Sequence, residues 1–168
     1  YTRLVKDQLN EFSYPASLAG LSFSVSANSR GFDLVVAGYN DRQGVMLDQI
    51  LAVMTAANFD EIRFNGLKTE VLRGWRNTKK MHPYRRLFRE IPSLLFAPSW
   101  SALTLADALE NVSFSEFNEF SKGLWQGRKI TMLSYGNLER EAALVMADAV
   151  ATGLKSSASD IETVVAKV

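Results

Sequence analysis

Between Ser17 and Leu51 the apolar pattern of this chain changes from a helical period to a period of two and back again, and no other feature constrains its fold as tightly. Leu21, Phe23, Val25 and Ala27 alternate with Ser22, Ser24, Ser26 and Asn28, the pattern of a strand with one buried face and one polar face made almost wholly of serine. Asn28-Ser29-Arg30-Gly31 supplies a turn, and Phe32 to Gly38 returns as the partner strand. Ahead of this hairpin, Leu4, Val5, Leu9 and Phe12 recur at helical spacing, so residues 2–19 read as an amphipathic helix stopped by Gly20 and bent or divided by Pro15. Behind it, Asn40 with Gln43 fits a capping box opening a helix over 42–57.

The same signature recurs at Asn58 and Glu61, ahead of a long helix expected to reach about Lys80 with Phe64, Leu67, Val71 and Trp75 on one stripe. His82-Pro83 breaks it, and a further helical piece follows from Tyr84 to Ile91, before Pro92. Ser101 caps a short helix to Asn111, and Ser113 with Glu116 forms a third, complete capping box for a helix to about Gln126. Ile130 to Tyr135 alternates as a third strand, and a last helix runs from Leu138 to about Leu154. Three strands among seven helical pieces predict an α+β fold, an antiparallel sheet with helices packed on one face. That is a small sheet for such a core, so further strands are expected from before Tyr1, from after Val168 or from a partner. Residues 1–155 read as a single domain and the serine-rich 156–168 as a linker or tail.

Composition limits the chemistry. With 168 residues, 47% of them hydrophobic, the chain can bury one sizeable core. Its formal net charge of +1 gives no global field for nucleic acid or an anionic membrane, and the absence of cysteine excludes thiol catalysis, disulfides and cysteine-ligated zinc. No apolar run approaches the roughly 20 residues that span a bilayer. The chain starts at Tyr1 inside a helical pattern, without an initiator methionine, as expected of a piece truncated at the N-terminus.

Ala19-Gly20-Leu21-Ser22 entering the hairpin, Gly38-Tyr39-Asn40 leaving it, Trp100 ahead of Ala108-Leu109 to Val112, and Gly136-Asn137 after the last strand together resemble the third, middle domain of the pitrilysin and insulysin family of zinc metallopeptidases. The resemblance spans nearly the whole chain. It implies one domain of the processing-peptidase and insulysin metallohydrolase fold, in which related α/β domains close around a peptide chamber. Only the first domain of that family carries the inverted zinc motif H-x-x-E-H. This chain has a single histidine, His82, and where the later helix of the catalytic domain would supply its third ligand it has Arg73, with Glu70 the only carboxylate in that stretch. The resemblance therefore implies a non-catalytic domain with no catalytic residue, no metal ligand and no cofactor of its own. Zinc is expected in the catalytic domain of the parent protein, and other domains of that protein and peptide substrates are the expected partners, with no nucleic acid and no membrane. An alternative is a stand-alone inactive scaffold or partner subunit of the same fold. Bacterial pitrilysin-like members are periplasmic and insulysin-like ones often cytosolic; the pattern from Trp100 to Trp125 leans to the periplasm.

Within the chain the most lopsided charge lies between residues 73 and 90, where Arg73, Arg76, Lys79, Lys80, Arg85, Arg86 and Arg89 face Glu90 alone. Arg73, Arg76, Lys80, Arg85 and Arg86 are the candidate substrate-binding residues, as a basic wall for acidic peptides. The competing readings are a solvated face neutralised by Asp107, Glu110, Glu116 and Glu119, or a nucleic-acid patch with Trp75 and Tyr84 interleaved. His82 lacks a partnered histidine or carboxylate at helical spacing, so a surface or helix-terminal histidine outweighs a metal ligand or general base there. Phe96, Trp100, Phe114, Phe117, Phe120 and Trp125 read as core, or as an interface if several stand exposed together.

Overall fold

The computed structural model describes residues 1–28, 31–39, 42–56, 58–126 and 128–154, together with the backbone of 161–165. Two helices, α1 (Thr2–Gln8) and α2 (Asn10–Leu18), precede the hairpin strands β1 (Leu21–Asn28) and β2 (Gly31–Gly38). Then follow α3 (Gln43–Ala56), α4 (Glu61–Arg76), a 3-10 turn (Asn77–Lys80), α5 (Pro83–Leu95), α6 (Ala102–Glu110), α7 (Phe114–Gly123), β3 (Ile130–Ser134), α8 (Arg140–Gly153) and β4 (Ile161–Val165).

The hairpin pairs antiparallel over its full length, from Leu21 opposite Gly38 to Asn28 opposite Gly31. Leu21 and Val25 are buried, Phe23, Leu34 and Val36 half-buried, and Ser22, Ser24 and Ser26 exposed, so the serine face points to solvent and the apolar face packs on α1, α2 and α3. The α+β expectation, helices on one face of an antiparallel sheet, is what the chain adopts. The described strands do not join into one sheet: β3 pairs in parallel with β4, a strand that falls inside the segment expected to be a tail. Both ribbons nevertheless share a helical layer, since Leu34 and Val36 of β2 and Ile130 of β3 pack against Leu47, Leu51 and Leu154.

Local signals account for most boundaries. Ser101 and Ser113 cap α6 and α7 as expected, the latter with Glu116 as a complete capping box. The expected cap at Asn40 lies outside the described residues, as do Ser29 and Arg30 of the turn. The cap of α4 is Asp60, which accepts from the Arg63 backbone N–H, in place of Asn58. The first helix divides at Leu9 rather than at Pro15, which α2 accommodates. Helix α5 likewise continues through Pro92 to Leu95.

The main core joins Val5, Val25, Met46, Ile50 and Met54 with the aromatics Phe59, Phe64 and Phe117. At its rim the Tyr1 hydroxyl donates to the Met54 carbonyl (2.5 Å), and the Trp125 indole N–H donates to both the Tyr1 oxygen and that carbonyl (3.1 Å each). Burial pushes the Tyr1 phenol up to about 12, only partly offset by the Trp125 hydrogen bond. A raised phenol pKa means that the neutral form is favoured by folding. That contribution is complete below pH 10 and is lost as pH rises towards 12; for this half-buried ring it amounts to roughly 1 kcal/mol once solvent screening is allowed for. Urea titrations at pH 9 and pH 11.5 should show this drop in the wild type and a flatter profile in Tyr1→Phe.

Candidate functional site

The basic run is carried by three successive pieces of backbone. Helix α4 presents Arg73 and Arg76 on its last turn, where cations favour the negative end of the helix. The 3-10 turn presents Lys79 and Lys80, held by buried Thr78, whose hydroxyl donates to the Trp75 carbonyl at 2.7 Å. Helix α5 starts at Pro83, with His82 at its N-cap position and stacked on Tyr84, and carries Arg85, Arg86 and Arg89.

These cations are not equivalent. Arg76 is ion-paired with Glu110 of α6, and that carboxylate holds the guanidinium above its ordinary pKa. Arg85 donates to the Tyr84 hydroxyl at 3.0 Å and lies over the same ring, 5.8 Å from its centroid. Arg73, Lys79, Lys80, Arg86 and Arg89 are exposed and make no ion pair among the described residues. Of the four acids expected to neutralise the run, Glu110 does so directly; Asp107 acts on Arg76 through space, and Glu116 is engaged in the capping box. A shallow groove of about 320 Å³ on α4 is lined by Thr69, Leu72, Arg73, Arg76 and Asn77. It brings together two of the candidate residues, Arg73 and Arg76, and does not include Lys80, Arg85 or Arg86.

The groove is braced by contacts that no local pattern marks. Lys68 donates to the carbonyls of Glu110 and Val112 (2.9 and 2.7 Å), tying α4 to the end of α6. Arg63 pairs with Asp7 and holds that carboxyl below the usual carboxylate range by hydrogen bonding, while Arg3 pairs with Glu70 at 3.0 Å. Glu70 is thus engaged by an arginine. Among the described residues no three His, Cys, Asp or Glu side chains are grouped so as to hold a metal ion.

The aromatic segment divides. Phe117 is buried and Phe114 and Trp125 half-buried in the core, whereas Phe96, Trp100 and Phe120 are exposed.

Comparison with known proteins agrees with this architecture. The chain is 34% identical to the insulin-degrading enzyme of Drosophila melanogaster over 154 residues, 92% of this chain and 16% of that protein. It is 33% identical to the insulin-degrading enzyme of Homo sapiens over 144 residues, 86% of this chain and 14% of that one. It therefore spans about one sixth of the length of these relatives. A crystal structure of pitrilysin superposes with a TM-score of 0.76 and 18% identity, covering 95% of this chain and 17% of that one. The sequence pattern of the middle or third domain of peptidase M16 matches residues 1–108, and the chain belongs to that family as this middle domain.

Proposed function

We propose that this domain forms part of the wall of a peptide chamber in a zinc metalloendopeptidase, contributing peptide contacts and packing against neighbouring domains while hydrolysis is carried out elsewhere in the polypeptide. The observation that carries this reading is the exposed basic strip from Arg73 to Arg89, with a groove beginning beside Arg73 and Arg76. Permanent cations on an exposed wall attract acidic segments over a screening length of about 8 Å at physiological salt, and so raise the local concentration of acidic peptide without touching the scissile bond. Residues 1–155 make up the working unit, and within 156–168 the strand β4 pairs with its β3.

Such contacts belong to binding shared by ground and transition states, which changes KM and leaves kcat alone. In the whole polypeptide, Arg73→Glu with Lys80→Glu is therefore expected to raise KM for an acidic peptide about 10-fold at low salt, with little change in kcat and little effect on a neutral peptide. Steady-state kinetics at two ionic strengths check this. Equal effects on acidic and neutral peptides would refute the basic-wall reading.

A further inference from the structure

Helix α5 has no buried side chain along its whole length. Tyr84, Leu87, Phe88, Leu94 and Leu95 are 57%, 59%, 71%, 80% and 71% exposed, and half-buried Ile91 lies among them. Helical geometry puts these six on one stripe, at i, i+3, i+4 and i+7 spacings, and Arg85, Arg86 and Arg89 on the opposite side. The five exposed side chains present on the order of 700 Å², above the roughly 300–600 Å² of the largest apolar patch on an ordinary monomer. A helix of this length is marginal in water, near the limit of about 12–15 residues, unless its apolar face is packed. None of the described elements covers that face.

We infer that the apolar stripe of α5 is a docking face for another domain of the same polypeptide, which it meets with Leu87, Phe88, Ile91, Leu94 and Leu95 while Arg85, Arg86 and Arg89 stay on the uncovered side. The occupant follows from two observations. This chain is a middle domain that spans only about one sixth of its relatives' length, so far more chain accompanies it in such proteins than it contains. The face is of the size of interfaces between domains of one chain, roughly 600–1,500 Å². Docking by the apolar side fixes which way the arginines point: away from the neighbouring domain, on the side available to peptide. The inference rests on the reading of the chain as one domain of a larger peptidase.

Hydrogen exchange read by mass spectrometry tests it, on the whole polypeptide and on this 168-residue chain alone. The amides of residues 87–95 should exchange at least about 100-fold more slowly in the whole polypeptide, a comparison that needs no variant. Phe88→Asp with Leu95→Asp should abolish that difference and leave the unfolding of this chain alone unchanged. Equal exchange in both settings overturns the inference. So does either alternative occupant: a dimer of this chain dissociated by the double variant, or binding to anionic vesicles lost in that variant, with no protection in the whole polypeptide. Protection of α5 with no acidic-peptide selectivity at Arg73 and Lys80 would keep the docking face and remove the basic wall; the converse would do the opposite.

Discussion

Gly38→Ala is expected to cost this chain about 4 kcal/mol or more, a large part of the 5–15 kcal/mol that holds an ordinary domain together. Gly38 has φ +132°, a conformation that side-chain-bearing residues rarely adopt, and a Cβ there would lie 2.2 Å from the Gly20 carbonyl oxygen and 2.9 Å from the Leu21 Cα. Both are backbone atoms at the base of the hairpin, where Leu21 pairs with Gly38, so neither can move without pulling β1 from β2. The strain of φ alone is on the order of 1–3 kcal/mol, and the overlap adds to it. Gly20, at φ +72°, would place its Cβ against the Tyr39 ring, which is 77% exposed and free to swing away, so Gly20→Ala should cost less. Gly66 and Gly74 give the opposite sign. They lie in α4 with open space around the Cβ position, and each change to alanine should stabilise by about 0.5–1 kcal/mol through helix propensity. Urea unfolding of the four variants separates the cases; a Gly38→Ala midpoint equal to that of the wild type would show that the junction is not closed as described.

The hairpin, the serine face and the caps at Ser101 and Ser113 follow from the sequence because each depends on residues within a few positions of one another. Where two local solutions compete, packing decides. Asn58 and Asp60 can each cap a helix, and the chain uses Asp60 because Phe59 between them is drawn into the core beside Phe117, which delays the helix start. Pro92 lacks the N–H that would reach the carbonyl four residues back, yet the loss of that single bond does not stop α5, which continues to Leu95. The cations of the basic run were evident from composition, yet their sorting into paired and unpaired ones was not. Arg76 finds Glu110, and Arg3 and Arg63 find Glu70 and Asp7, across chain separations that no periodic pattern encodes. The parallel pairing of β3 with β4 was hidden for the same reason: the polar, serine-rich stretch ahead of β4 reads as linker, and only the fold brings the two strands together.

Phe64→Ala should have an effect of the same order as Gly38→Ala, and it reaches the basic groove. Among the residues of α4 only Phe64 is buried; the rest of the helix is exposed or half-buried, and both arginines of the groove are exposed. Its ring stacks on Phe117 with centroids 4.9 Å apart and meets Phe114 at 5.6 Å, which ties α4 to α7 through one side chain. Removing a buried phenyl ring from a packed site typically costs 3–5 kcal/mol, because the transfer loss is joined by the cavity left between neighbours that cannot collapse fully. Phe64→Leu keeps most of the volume and should cost about 1–1.5 kcal/mol. Ile62→Ala, two residues away on the same helix but 80% exposed, should change stability by no more than about 0.5 kcal/mol. The surface ion pairs Arg3–Glu70 and Arg63–Asp7 cannot make up the loss, since solvent screening and the ordering of two long side chains leave exposed pairs with little net contribution. If α4 is held mainly by Phe64, Phe64→Ala will also speed amide exchange across residues 64–76 more than across the hairpin, loosening the groove at Arg73 and Arg76 before the β1–β2 ladder. Uniform acceleration of both regions would instead mean that α4 and the hairpin unfold as one unit, with the groove as firmly fixed as the core.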